Sequence, residues 1–123
     1  MAKILVVDDE ISVRKMLKEI LELDRHEIVE AENGEDALEK MKEHQIDLVL
    51  TDLVMPKKNG IDVIMHFKDN YPNVAIVAVS GGGGISGRFD YLPIAQLVGA
   101  KAIISKPFEP SQLRSVVSEM LAA

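Results

Sequence analysis

The stretch KILVVDDEISVRKMLKEIL, residues 3–21, contains the pattern that decides the fold. It opens with an apolar run that ends at acidic residues, which predicts a buried strand over Lys3–Val7. Beyond the acids, apolar residues recur at helical spacing, and we expect these to face the core: Ile11, Met16, Leu17, Ile20 and Leu21. A buried strand followed at once by an amphipathic helix is the repeating unit of an α/β domain.

The same alternation continues to the end of the chain. Four more strands are predicted, at Glu27–Glu30, Ile46–Thr51, Val74–Val79 and Lys101–Ile104. Each is followed by a predicted helix, and the inward-facing residues are Ala37, Leu38 and Met41; Ile61, Ile64 and Phe67; Leu92, Ala95, Leu97 and Val98; and Leu113, Val116, Val117 and Met120. Five strands alternating with five helices predict a doubly wound α/β domain, because right-handed crossovers cover both faces of a parallel sheet.

Two residues give helix boundaries. Asn33 is a good N-cap for the second predicted helix, since its side chain can accept a hydrogen bond from the first turn. Gly99 is expected to end the helix that carries Leu92–Val98.

Length and composition limit the possible functions. The chain has 123 residues, of which 47% are hydrophobic, so we expect one domain over residues 1–123 with no output domain. The absence of cysteine and of a long apolar stretch favours a cytoplasmic protein without membrane association. A net charge of -6 argues against direct nucleic-acid binding, because nucleic acids are also negatively charged.

Polar residues follow four of the predicted strands. They are Asp8 and Asp9 after the first strand, Asp52 after the third, Ser80 after the fourth and Lys106 after the fifth. In an open parallel sheet, ligands bind at the carboxyl ends of the strands, so we expect these side chains to lie in one crevice. Taken singly, each is more simply explained as a loop or surface residue, but that explanation does not account for their joint placement.

The combination suggests phosphoryl chemistry. Three crowded carboxylates would repel one another unless a hard cation such as Mg²⁺ or Mn²⁺ and the ammonium of Lys106 compensate their charge. A carboxylate can attack a phosphoryl donor and form an acyl phosphate. Asp52 would be that nucleophile, Asp8 and Asp9 would orient the metal, and the Ser80 hydroxyl could donate to the phosphate.

The sequence resembles the response-regulator receiver family along nearly its full length. The resemblance rests on KILVVDDE at 3–10, LVLTDLVMPKKNGID at 48–62, VAVSG at 77–81 and SKPFEP at 105–110. It implies a flavodoxin-like receiver fold with strand order 2-1-3-4-5. It also implies a signalling domain that catalyses only its own phosphoryl transfer and slow dephosphorylation.

The resemblance assigns a role to each site residue. Asp52 looks like the phosphoacceptor, Asp8 and Asp9 look like the acidic metal pair, and the backbone carbonyl of Val54 looks like a further ligand of the metal. Ser80 and Lys106 take the family's positions for the switch hydroxyl and the lysine. A cis bond is implied between Lys106 and Pro107.

The expected partners also follow from the resemblance. They are a sensor histidine kinase or phosphotransfer protein and an unidentified downstream protein, with the receiver as a monomer or weak dimer.

Two features depart from the family pattern. Ile103 stands where the family usually has Tyr or Phe, so aromatic gating of the outer surface cannot be assumed; the residue is equally well explained as an ordinary strand residue. The separation between Ser80 and Lys106 is longer than the family pattern predicts, and the extra length falls in the glycine-rich run Gly81–Gly87. This run is either a loop that closes over the phosphoryl group or a tolerated surface insertion.

The alternative functions are not supported by the sequence motifs that they would require. A metal-dependent phosphatase or a nucleotide- or flavin-binding domain is the second hypothesis, yet neither GxxxxGK[ST] nor GxGxxG follows the first strand. A receiver-like adaptor that is never phosphorylated is the third hypothesis, and the complete acidic set argues against it. His26, His44 and His66 are interpreted as ordinary surface or boundary residues.

Overall fold

The computed structural model describes residues 2–52, 60–80, 99–105 and 108–122. This part of the chain contains five strands and four helices, in the order β1 (Lys3–Val7), α1 (Ile11–Glu22), β2 (Glu27–Ala31), α2 (Gly34–Glu43), β3 (Leu48–Asp52), α3 (Gly60–Asn70), β4 (Ala75–Ser80), β5 (Ala102–Ser105) and α4 (Pro110–Ala122). The helix predicted around Leu92–Val98 and the run Gly81–Gly87 lie outside the described residues.

All five strands form one parallel sheet in the order β2-β1-β3-β4-β5, which confirms the expected topology. The central pairing sets β1 against β3, with Ile4 opposite Leu48 and Val7 opposite Thr51. Since the strands are parallel, their carboxyl ends share one edge of the sheet, which we call the carboxyl edge. The opposite edge, where the strands begin, is the amino edge.

The core has two layers, one on each face of the sheet. Leu5 and Val7 point to the face covered by α2 and α3, while Ile4 and Val6 point to the face covered by α1 and α4. This alternation follows from the two-residue period of a strand. Because both faces are covered, β1 and β3 are apolar throughout, apart from Lys3, Thr51 and Asp52 near their ends.

The prediction for α1 was partly wrong. Leu17, Ile20 and Leu21 are buried as expected, but Ile11 is 58% exposed and Met16 is 44% exposed. Helical residues turn by about 100° each, so Met16 lies roughly 90° and Ile11 roughly 130° from the centre of the buried face. Apolar character alone had assigned both residues to the core.

The inward faces of the other described helices are largely confirmed. The fully buried residues among those predicted are Ala37, Met41, Ile64, Phe67, Leu113 and Val117. Leu38, Val116 and Met120 are partly buried against the same two layers. The side chain of Ile61 lies outside the described part.

The start of α2 and both ends of β3 can be compared with the predicted boundaries. The Asn33 side chain accepts a hydrogen bond from the Asp36 N–H (2.9 Å), so the predicted N-cap of α2 is confirmed. β3 starts at Leu48, two residues later than predicted. Asp47, just before it, accepts from the Lys3 N–H through its side chain and donates its own N–H to the Lys3 carbonyl. β3 also extends to Asp52, which therefore ends the strand rather than following it.

None of the four described helices is long and apolar enough to cross a membrane.

Candidate functional site

Asp8 is held firmly at the carboxyl edge, one residue beyond β1. Its N–H donates to the Ala31 carbonyl (3.1 Å), and its Oδ1 accepts from the Glu10 N–H (2.9 Å). The residue is 1% exposed. A buried carboxylate is retained only where partners compensate its charge, which makes Asp8 a functional candidate.

Three carboxylates meet where β1 leads into α1. Oxygen atoms of Asp8, Asp9 and Glu10 lie within 4.8 Å of one another, with Asp8 buried and the other two exposed. Glu10 was not among the predicted site residues, although it directly continues the acidic pair in the sequence. The proximity of Asp8 and Asp9 was predicted correctly.

The donor set of this acidic cluster fits a hard divalent cation. Mg²⁺ prefers oxygen ligands at about 2.0–2.1 Å, which puts ligand oxygens on the order of 3 to 4 Å apart. Because Asp9 and Glu10 are exposed, their side chains can adjust over the short distance that separates the observed spacing from this one. The cluster can therefore provide part of a magnesium site.

Asp52 lies beside this cluster on the neighbouring strand. Val7 is opposite Thr51 in the β1–β3 ladder, so Asp8 and Asp52 occupy the next positions on strands spaced by about 4.8 Å. Asp52 is 8% exposed and is opposite Val79 on its other side. Its carboxylate is not a member of the acidic cluster, but its backbone position adjoins that of Asp8.

β4 and β5 end at the same edge. Ser80 is opposite Ser105, the residue immediately before Lys106. The side chain of Ser80, together with Val54, Lys106 and Pro107, lies outside the described part of the chain. Their predicted roles therefore stay predictions.

A second missed residue supports the site from α1. Arg14 donates from Nη1 to the Asp8 carbonyl (2.7 Å) and from Nε to Glu30 Oε1 on β2 (3.1 Å). Nothing in the sequence pattern pointed to this pairing, because it depends on the packing of α1 against β2.

Ile103 lies within β5 and is partly buried against the layer that contains Ile76 and Ala78. Within the described residues, its surroundings agree with those of an ordinary strand residue. The glycine run that would be needed to test the loop hypothesis lies outside them.

Known proteins are similar to this chain in both sequence and fold. The chain matches the family model for the response regulator receiver domain over residues 4–118. It is 38% identical to the chemotaxis protein CheY of Bacillus subtilis over 120 residues, which cover 97% of each chain. It is 37% identical to CheY of Thermotoga maritima over 119 residues, which cover 96% of each chain.

A solved structure of a response regulator has the same fold as this chain. The response regulator TrrA from Thermotoga maritima, in complex with Mg²⁺-BeF, superposes with a TM-score of 0.84 at 31% identity. The match covers 98% of this chain and 99% of TrrA.

The chain belongs to the response regulator receiver domain family, the receiving module of two-component signalling. Domains of this family bind Mg²⁺ at an acidic pocket, and they interact with histidine kinases or phosphotransfer proteins and with downstream targets. The chain is therefore a signalling domain of the CheY-like class.

Proposed function

We propose that Asp52 is the phosphoacceptor of this receiver. A partner histidine kinase or phosphotransfer protein would present a phosphohistidine, and an Asp52 carboxylate oxygen would attack its phosphorus. The P–O bond forms as the P–N bond breaks, and the imidazole leaves with the bonding electron pair. The observation that carries the proposal is the burial of Asp52 at the end of the central strand, directly beside Asp8.

Asp8, Asp9, Asp52 and the Val54 carbonyl would hold the metal. The acidic cluster supports this assignment, and Glu10 is close enough to contribute directly or through water. Bound Mg²⁺ would supply positive charge to offset that of the phosphoryl oxygens. The burial of Asp8 and Asp52 limits their hydration, so electrostatic interactions at these carboxylates are stronger than in bulk water.

Lys106 and Ser80 would contact the phosphoryl group once it is attached. The Lys106 ammonium would pair with a phosphoryl oxygen, and the Ser80 hydroxyl would donate to another. The pairing of Ser80 with Ser105 supports these roles, since it puts the ends of β4 and β5 at the same edge as Asp52.

Phosphorylation would act as a switch for protein contacts. The phosphoryl group carries roughly 1.5 to 2 negative charges in place of the single charge of the Asp52 carboxylate, and the resulting rearrangement would change the surface offered to a downstream protein. We place this activity in the cytoplasm, in a single receiver domain over residues 1–123. The complex of TrrA with Mg²⁺-BeF supports a site of this kind, since beryllofluoride mimics an aspartyl phosphate.

The test is intact-mass measurement after incubation with acetyl phosphate and Mg²⁺. The wild-type chain should gain one phosphoryl group, and Asp52→Asn should gain none, because the amide has no nucleophilic carboxylate. Asp47→Asn is the matched control, since Asp47 is an exposed acid at the amino edge and its variant should be labelled normally.

Normal labelling of Asp52→Asn would assign the phosphoacceptor elsewhere. Failure of the wild-type chain to be labelled, together with a nucleotide or flavin retained on purification, would favour the rival nucleotide-binding function.

A further inference from the structure

Arg14 contacts the backbone of the acidic cluster, not its carboxylates. Its Nη1 donates to the Asp8 carbonyl oxygen at 2.7 Å, and its Nε donates to Glu30 Oε1 at 3.1 Å. The Arg14 side chain is 12% exposed, and that of Glu30 is 32% exposed. The guanidinium is therefore held between two elements of the fold, the end of β1 and the strand β2.

This contact holds the backbone carbonyl of Asp8, one residue beyond β1. The ladder between β1 and β2 ends at Val7, and the Asp8 N–H donates to the Ala31 carbonyl of β2. The Asp8 carbonyl lies beyond that ladder and receives its bond from Arg14. With Oδ1 bound to the Glu10 N–H, the N–H, the carbonyl and one carboxylate oxygen of Asp8 are all restrained.

We infer that Arg14 is a positioning residue for the metal site, acting through the Asp8 backbone. The inference rests on the proposed function, because it assumes that Asp8 binds Mg²⁺. A carboxylate that is already oriented loses less conformational freedom when it binds a cation, so releasing the Asp8 carbonyl should weaken Mg²⁺ binding.

Electrostatics alone predicts the opposite sign. A guanidinium near an acidic cluster repels a divalent cation, so removing its charge should strengthen Mg²⁺ binding. Glu30 already offsets part of this repulsion through its ion pair with Arg14, and Lys18 lies 4.0 Å from the other Glu30 oxygen. The direction of the change therefore separates a positioning role from a charge effect.

The experiment is calorimetric titration of the full chain with Mg²⁺ alone, comparing Arg14→Met, Arg14→Lys and Lys15→Met. Arg14→Met should raise the Kd for Mg²⁺ about tenfold, the usual scale for losing a residue that orients a metal ligand. Arg14→Lys should give an intermediate Kd, because one ammonium cannot reproduce the fixed fork of a guanidinium. Lys15→Met removes the same charge from an exposed neighbour on α1 and should leave the Kd unchanged or slightly lower.

Stability is controlled with Gly99→Ala at the amino edge: Gly99 has a φ of 137°, so the variant should be less stable, yet it should bind Mg²⁺ like the wild type. An Arg14→Met variant that binds Mg²⁺ as tightly as the wild type, or more tightly, overturns the inference. If Arg14→Met does not fold, Arg14→Lys decides the matter, and a wild-type Kd in that variant overturns the inference. Absence of Mg²⁺ binding in the wild-type chain would instead refute the proposed metal site.

Discussion

The two edges of the sheet use acidic residues in opposite ways. At the carboxyl edge, Asp8, Asp9 and Glu10 lie beside one another, with Asp52 on the neighbouring strand. At the amino edge, Asp47 is bound within the fold, and its Oδ2 accepts from the Lys3 N–H at 2.8 Å. Grouped carboxylates suit the proposed cation site at the carboxyl edge, whereas at the amino edge a single carboxylate holds the start of β1.

The backbone of Asp47 strengthens its structural role. Its N–H donates to the Lys3 carbonyl, and its carbonyl accepts from the Ala75 N–H. One residue thus joins the beginnings of β1 and β4.

The Asp24 carboxylate plays a similar part after α1, where Arg114 of α4 donates to both of its oxygens (2.6 and 3.0 Å). This hydrogen bond lowers the pKa of the Asp24 carboxyl.

A groove at the amino edge also contains an acidic residue. A groove of about 630 Å³ opens at the amino edge, lined in part by Ile46, Tyr71 and Val74. Asp47 also lines it, but that carboxylate is engaged by Lys3.

The largest expected loss of stability comes from Gly99→Ala, at the amino edge before β5. Gly99 has a φ of 137°, a conformation that L side chains rarely adopt, and an added Cβ would lie 2.5 Å from Cδ of Lys68. We expect a loss of about 1–3 kcal/mol in the free energy of unfolding, mainly from backbone strain, since the Lys68 side chain can move. Urea unfolding measures this loss, and phosphorylation of the folded variant should be unchanged.

A Gly99→Ala variant as stable as the wild type would show that the turn can relax. A variant that is stable but cannot be phosphorylated would contradict the division of roles between the edges.

The second prediction compares Asp9→Ala with Asp47→Ala, one acid from each edge. Asp9→Ala should weaken Mg²⁺ binding about tenfold, or ~1.4 kcal/mol, and should slightly stabilise the metal-free protein, because repulsion within the acidic cluster falls. Asp47→Ala should destabilise the protein by about 1 kcal/mol through the lost hydrogen bond to Lys3 and should leave the Kd for Mg²⁺ unchanged.

Titration calorimetry and urea unfolding measure the two quantities separately. If both variants lose stability and neither changes the Kd for Mg²⁺, the acidic cluster is a structural feature and the comparison between the edges fails.

The sequence was sufficient to predict that Asp8 and Asp52 lie at the carboxyl edge, although Glu10 was missed, and the reason for the success is geometric. Parallel strands of known direction place Asp8 and Asp52 on one edge, whatever the details of packing. Burial on a helix is harder to predict, as Ile11 and Met16 show, because apolar residues at the border of the buried face can remain exposed. Arg14 could not be found from the pattern, since its partners come from β1 and β2 and are set only by tertiary packing.

The smallest expected effect concerns pH and His26, at the amino edge. Burial lowers the pKa of His26 below its usual 6.5, and the chain's N-terminal amine lowers it further, while the Asp24 carboxylate acts in the opposite direction. Nδ1 of His26 accepts from the Ala2 N–H (3.1 Å), and a protonated ring would lose this acceptor. The unfolded chain therefore binds the proton more tightly than the folded one does.

The sign follows from that difference in proton binding. The contribution of His26 to stability should be complete above pH 6.5 and should be lost as pH falls through the lower pKa of the folded state. His26→Asn keeps an acceptor near the position of Nδ1 but does not titrate. Urea unfolding at a series of pH values should therefore show a shallower loss of stability below pH 6.5 in His26→Asn than in the wild type. Parallel curves would show that His26 does not contribute to the pH dependence, and that acid stability at this edge is set by the carboxylates and the other titrating groups.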